Sequence, residues 1–196
     1  MAEIPDIVGK RLIITGDVNT GKTTLSRAVV ESLCRRGLSA QIIVVDMAPE
    51  IPEKIAIERG IQGIGGKLTV PCEAVAYLTA SIRPPRLTAK TEKEAFLLAA
   101  ENTLKIDRLL EEFQESGRDI LFINDVSMYL QAGSTSELLR RIEPARTVVA
   151  NGYYGRKLGG GALSAREAEE MTKLIAAFAY HVALPDQSIE EALKEK

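Results

Sequence analysis

Apolar positions along the chain come in two kinds of run that alternate. Five short stretches are continuously apolar: RLIIT at 11–15, QIIVVD at 41–46, DILFIND at 119–125, RTVVAN at 146–151 and HVALP at 181–185. A strand with both faces covered has this uninterrupted pattern, and strands of parallel sheets are covered on both faces. Between these runs the apolar residues recur at helical spacing. Residues 22–36 set Leu25, Ala28, Val29 and Leu33 on one stripe, which Gly37 ends. Residues 92–116 align Phe96, Ala99, Thr103, Ile106, Leu110 and Phe113, opened by a Thr91 to Glu94 capping box and closed by Gly117. STSE at 134–137 and SARE at 164–167 repeat that box and predict two further helix starts. Strands alternating with helices, without an internal repeat or low-complexity linker, predict a three-layer α/β fold with a mostly parallel central sheet covered by helices on both faces. At 196 residues the chain is read as one domain over 1–196.

Residues 47–90 break the alternation. They hold Pro49, Pro52, Pro71, Pro84 and Pro85, the run GIQGIGG at 60–66, and room for short strands near 67–70 and 75–80. Long irregular insertions in compact domains often bind ligands, which makes this the expected place for a second substrate; a connection capping a sheet edge accounts for it equally well. Within it, YLTASIRPPRL at 77–87 gathers Tyr77, Thr79, Ser81, Arg83 and Arg86 around a rigid proline pair. Arginines there could clamp an anion or stabilise developing phosphoryl charge, or belong to a solvated loop.

The most specific signal follows the first apolar run. GDVNTGKT at 16–23 has the form GxxxxGK[ST] between a predicted strand and a predicted helix, the context a phosphate-binding loop requires. Gly16 and Gly21 allow backbone angles that turn successive N–H groups inward around a phosphate, with Asp17, Val18, Asn19 and Thr20 between them. The helix after Gly21 adds its positive end, Lys22 a mobile cation for the β- and γ-oxygens, Thr23 a hydroxyl for Mg²⁺, and Thr24 completes the lining. Asp46 ends the second apolar run and Asp125 the third, so each is a candidate Mg²⁺ ligand, a base for a nucleophile, or a plain strand-ending carboxylate. NGYYGRKLGGGALS at 151–164 reads as a lid or as a simple strand-to-helix connection.

These residues resemble the P-loop nucleoside triphosphatases. That resemblance implies a Mg²⁺-bound triphosphate with Lys22 and Thr23 in the roles given. An aspartate ending the strand after the loop's helix, Asp46, is similar to the SIMIBI class, which contains signal-recognition GTPases, MinD-like ATPases, dethiobiotin synthetase and the molybdopterin-guanine dinucleotide biosynthesis B protein; the similarity of layout runs from residue 11 to about 185. The chain departs from two of its groups. It lacks the extra lysine of the MinD and nitrogenase-iron-protein loop, and it lacks an NKxD guanine signature. In its place VVANGYYG sets Asn151 at the end of the fourth run, where relatives of the dethiobiotin synthetase type use an asparagine on the base; starting the turn with Gly152 is the alternative.

Composition trims the function classes. Against 25 basic residues stand 27 acidic ones, a formal charge of −2, which argues against wrapping a nucleic-acid backbone. The two cysteines, Cys34 and Cys72, form no CxxC pair and suit a reducing compartment. No apolar run reaches membrane-span length and MAEIPDIVGK has no secretory pattern, so a cytoplasmic location is expected. The single histidine, His181, opens an apolar run and has no partner for a triad or zinc site. The expectation is therefore Mg²⁺-dependent binding of ATP, or less strongly GTP, with hydrolysis or phosphoryl transfer to a small anionic molecule. A switch acting on a protein partner, and a binding module without hydrolysis, are the other readings. The acceptor and the oligomeric state stay open, a homodimer included.

Overall fold

The five apolar runs and one stretch of the insertion become strands: β1 (Arg11–Gly16), β2 (Ile42–Asp46), β3 (Ala76–Thr79), β4 (Ile120–Asn124), β5 (Thr147–Tyr153) and β6 (Tyr180–Leu184). They form one sheet in the order β3-β2-β4-β5-β1-β6, in which every pairing is parallel. A computed structural model describes residues 4–51, 53–58, 66–155, 157, 158 and 160–194. Helices α1 (Lys22–Arg35), α2 (Glu53–Glu58), α3 (Pro85–Thr88), α4 (Glu92–Glu115), α5 (Ser127–Leu130), α6 (Thr135–Arg141), α7 (Gly161–Ala177) and α8 (Ile189–Lys194), with a 3₁₀ turn at Ser39–Gln41, complete the element order. None of the helices among the described residues is long and apolar enough to cross a membrane.

The continuous apolar runs follow from two-sided burial. Leu12, Ile14, Ile42, Val44, Ile120, Phe122 and Val149 point to the face covered by Val29, Val30 and Leu33 of α1 and Ile189 and Ala192 of α8. Their neighbours Ile13, Ile43, Val45, Leu121, Ile123, Val148 and Ala150 point to the face packed on α4, α5, α6 and α7. Each fully buried aliphatic side chain contributes roughly 1.5–3 kcal/mol, so replacing either row by polar residues would unseat a whole helix layer. Helix starts follow the sequence in two of three cases. Thr91 and Ser134 accept from the amides of Glu94 (3.1 Å) and Glu137 (3.2 Å), as their boxes predict.

The third box is corrected. The helix begins at Gly161, three residues before Ser164, because Glu92 accepts the Ala162 amide (2.9 Å) and takes over the capping; Ser164 lies inside the first turn. The strand expected near 67–70 is also absent: the Leu68 amide donates to the Asp46 carboxylate (2.6 Å) instead of to a ladder. The stretch near 75–80 does form β3, at the sheet edge beside β2. Residues 60–65 of GIQGIGG, and Arg156 and Gly159 of the proposed lid, lie outside the described residues.

Candidate functional site

The carboxyl ends of β1, β4 and β5 lie side by side at the same end of the sheet, the place where open α/β sheets bind ligands. At the tip of β1, Gly16 has φ +156°, and a Cβ on it would stand 2.6 Å from Thr20 Oγ1 and 2.7 Å from the Leu184 carbonyl of β6. Only glycine fits there, which explains the first glycine of the motif. Gly21, with φ +91°, is the N-cap of α1. No side chain caps this helix and no acid sits in its first turn, so its positive end is uncompensated.

The loop's own groups set its shape. Asp17 Oδ1 accepts from the Val18 amide (2.7 Å), the Thr20 hydroxyl donates to the Asp17 carbonyl (2.9 Å), and Asn19 takes the left-handed region at φ +59°. Lys22 Nζ donates to the carbonyls of Gly16 (3.0 Å) and Asp17 (2.6 Å). Burial lowers the Lys22 pKa, against the carboxylates of Asp125 and Asp17, which raise it. A cleft of about 330 Å³ opens over this loop; residues 18–24 line it together with Asn124, Asp125 and Asn151.

The two candidate aspartates are placed very differently. Asp46 is fully buried and outside the cleft lining. Its carboxylate accepts from the amides of Ala48 (2.9 Å) and Leu68 (2.6 Å), the Tyr77 hydroxyl (2.6 Å) and Asn124 Nδ2 (2.9 Å). Asn124 stands between Asp46 and the loop. Asn124 Oδ1 in turn accepts from Asn151 Nδ2 (2.9 Å) and, at 3.5 Å, from the Thr23 hydroxyl. Asn151 Nδ2 also donates to Ser26 Oγ of α1 (2.9 Å), and Asn151 Oδ1 accepts from the Asp125 amide (3.1 Å). Asp46, Asn124 and Asn151 thus form a buried polar row beneath α1, continuing the apolar rows of that face. Asn151, which the sequence resemblance gives to the base, has its amide engaged in this row.

Asp125 lies half-buried in the cleft one residue past β4, at φ +60°. A non-glycine residue in that region costs energy and turns the side chain out of the strand's alternation. Burial raises its pKa, opposed by the Ser127 hydroxyl, which donates to Oδ1 (2.5 Å), and by Lys22. Among the described residues no three Asp, Glu, His or Cys side chains converge as a metal cluster. One carboxylate and one hydroxyl beside a phosphate loop is a donor set that suits Mg²⁺, which draws its remaining oxygens from water and phosphate. The site also fits a polyphosphate: the glycine cradle, the uncapped helix end and Lys22 all favour negative charge.

A second cavity, of about 470 Å³, adjoins the first and shares Asp125, Tyr153 and Leu158 with it. Arg86 enters this cavity from α3, ion-paired to the buried Glu167 and lying 5.7 Å from the Tyr153 ring centroid. Burial raises the Glu167 pKa, against Arg86 and the Gln131 amide, which donates to it (2.8 Å). Arg83 points elsewhere, to an exposed pair with Glu101. The segment after β5 rests on the loop: the Tyr154 amide donates to the Gly16 carbonyl (3.2 Å), and a Cβ on Gly155 would stand 2.7 Å from Asp17 Cγ. His181 sits beside β1, with Nε2 2.7 Å from Thr15 Oγ1, away from both cavities.

Sequence reading left the role of Asn124 open and missed Ser26, Ser127, Gln131 and Glu167. Strand alternation could have found Asn124, since it is in step with Ile120 and Phe122. Ser26, Ser127 and Glu167 lie on helices and Gln131 directly after α5, and none carries a local spacing signal.

An all-parallel six-stranded sheet between two helical layers, with a GxxxxGKT loop joining β1 to α1, is an α/β architecture of the P-loop type. No protein-family model matches the chain, and no curated protein matches it. Among solved structures, it is similar to the flagellar accessory protein FlaH from Methanocaldococcus jannaschii at 11% identity and a TM-score of 0.48, covering 89% of this chain and 70% of that one. A likeness at this level carries no argument about activity.

Proposed function

We propose that the protein binds a Mg²⁺-nucleoside triphosphate, ATP in preference to GTP, and cleaves its γ-phosphoryl group or transfers it to a small anionic molecule. The observation that carries this reading is the convergence of Lys22, Thr23 and Asp125 on one cleft at the uncompensated end of α1. In this reading residues 16–21 and the first-turn amides of α1 cradle the β-phosphate, and Lys22 gives up its carbonyl partners for phosphate oxygens. Thr23 and Asp125 would hold Mg²⁺, which when bound supplies positive charge to the phosphate oxygens. The bond from the γ-phosphorus to the β,γ-bridging oxygen breaks, a bond to a water or acceptor oxygen forms, and the nucleoside diphosphate leaves with the bonding pair. Such chemistry asks the protein mainly for positioning and charge stabilisation. Asn151 serves as a positioning residue through the Asp125 amide, and Asp46 as another through Asn124.

The preference for ATP rests on the missing NKxD signature. The narrower resemblance to the dethiobiotin synthetase class rests on Asp46, whose oxygens already have four protein donors, so the proposal stays at the level of a P-loop NTPase. Two free thiols favour a reducing, cytoplasmic setting. Titration of ATP and GTP into wild type and Lys22→Ala, with Mg²⁺ present, tests the proposal. Affinity for ATP should exceed that for GTP and fall by about a hundredfold or more in the variant, as expected when charge-assisted phosphate contacts are lost. Equal affinity in the two proteins would remove the reading.

A further inference from the structure

The second cavity has no part in gripping a triphosphate, yet it opens onto Asp125. Its walls are largely apolar, built from Pro84, Pro85, Met128, Ala95 and Leu163. Its volume, about 470 Å³, lies within the roughly 300–1,000 Å³ of small-molecule sites. Charge is distributed unevenly around it. Arg86, Lys90 and Lys157 line it, and the ammonium groups of Lys90 and Lys157 pair with no carboxylate among the described residues. The acids in the lining are Glu92, which is occupied by the Ala162 amide, and Asp125, which faces Lys22. Gly160 and Gly161 bring the start of the 17-residue α7 to the rim, with no side chain of its own N-cap residue closing it.

One further observation singles out this wall. Among the described residues, Arg86 Nε and Gln131 Oε1 are buried side-chain polar atoms without a partner, and both residues line this cavity; a third such atom, Ser164 Oγ, is on α7 and borders a neighbouring space that Arg86 and Tyr153 also line. Such atoms are rare, so two of them on residues of one wall mark a place shaped for something other than stability.

We infer that this cavity is a binding site for a small amphipathic anion, a molecule with an apolar body and one carboxylate or phosphate group, held by Lys90 and Lys157, while the charge of Arg86 is met by Glu167. Its role as the acceptor site rests on the proposed function above; binding itself does not. The apolar body lies against Pro84, Pro85 and Met128, and the anionic group faces the cations. Tyr153 and Leu158 form the partition from the phosphate cleft, and Asp125 is the point where the two ligands meet.

The test titrates benzoate, phenyl phosphate and the neutral benzyl alcohol into the full chain carrying Lys22→Ala, which silences anion binding at the phosphate loop. Benzoate and phenyl phosphate should each bind about tenfold or more tightly than benzyl alcohol, as one charge-assisted contact supplies. Adding Lys90→Ala and Lys157→Ala, both surface changes, should erase that advantage and leave benzyl alcohol unchanged. Arg86→Ala is avoided because it would strip the buried Glu167 of its partner. Equal binding of the three probes, no binding of any, an anion advantage that survives loss of both lysines, or phenyl phosphate binding seen only with Lys22 intact would each overturn the inference. Nucleotide titration of wild type is read separately. Failure there with success here removes the NTPase reading and leaves this site standing.

Discussion

Asp46 and Asp125 each end an apolar run, and the protein uses them in opposite ways. Asp46 is in step with Ile42 and Val44, so strand alternation carries it beneath α1, where four donors saturate its oxygens. Asp125 comes one residue after β4 ends, and its positive φ turns it into the space between two cavities. The first is a buried polar side chain made tolerable by its four hydrogen bonds, and the second is a costly group in a strained backbone. Two identical residue types in matching sequence contexts therefore divide, through a parity of one residue, into one held beneath α1 and one that reaches the cleft.

The largest effect should come from Asp125→Asn. Asparagine tolerates the left-handed backbone and keeps the shape, but it cannot carry the charge a cation needs. Nucleotide turnover should fall about a thousandfold, in the range seen when a group that stabilises developing charge is removed. The melting temperature should hold or rise, because the burial that raises the Asp125 pKa penalises its charged form. Phosphate release measured beside a thermal melt checks both halves, and a variant that unfolds while the remaining folded protein turns over normally would reverse the comparison.

Asp46→Ala should show the mirror image. Removing the carboxylate leaves the Leu68 and Ala48 amides and the Tyr77 hydroxyl without their acceptor, a loss of about 3 kcal/mol or more if each contributes about 1 kcal/mol. Denaturant titration would read this as a lower midpoint. Turnover per folded molecule should fall by about tenfold or less, since the effect reaches Thr23 only through Asn124. A loss of turnover as deep as that of Asp125→Asn, with stability intact, would make Asp46 the chemical group after all.

This parity marks the limit of what could be read in the chain beforehand. The sheet, the order of elements and the glycine loop between β1 and α1 were legible, because all three depend on local signals: continuous apolar runs, helical spacing and two glycines at fixed separation. Register was not. Which strand end stands beside which depends on the order β3-β2-β4-β5-β1-β6, which places β5 between the loop strand and β4 and gives Asn151 its contact with the Asp125 amide. The SARE box misled because Glu92 caps the Ala162 amide, ahead of the box, and Glu167 is claimed by Arg86 and Gln131. A long-range ion pair leaves no trace in local spacing.

A third carboxylate sharpens the contrast through pH. Glu170 on α7 accepts from the Thr135 amide (2.6 Å) and from Lys173 (2.7 Å), with its side chain 10% exposed. Burial pushes its pKa up, but these bonds outweigh it and lower the value from 4.5 to about 2. The folded value lies below the unfolded one, so the stabilisation is fully present above about pH 4.5 and is lost as the pH falls toward 2. The loss should reach roughly 2–3 kcal/mol across that window. Glu170→Gln should lower stability at neutral pH and flatten the acid limb of the stability profile. A profile as steep in the variant as in wild type would assign the acid loss to other carboxylates.

The smallest effect belongs to Arg83, which the sequence set beside Arg86 as an equal candidate. Its side chain pairs with Glu101 where both partners are more than half exposed, whereas the pair of Arg86 and Glu167 is 18% and 3% exposed. Solvent screening limits an exposed pair to about 0–1 kcal/mol, and holding two long side chains in one geometry offsets part of that. Arg83→Ala should therefore shift the denaturation midpoint barely, more weakly still in high salt, and leave both nucleotide turnover and benzoate affinity unchanged. The backbone of Arg83 keeps its bonds to Asn102, in which the amide donates (3.2 Å) and the carbonyl accepts (2.7 Å), so the Pro84 and Pro85 bend stays anchored to α4 without the guanidinium. If the variant instead lost turnover, the insertion would act on the clefts through its outer surface, and the division between a solvated Arg83 and a working Arg86 would fail.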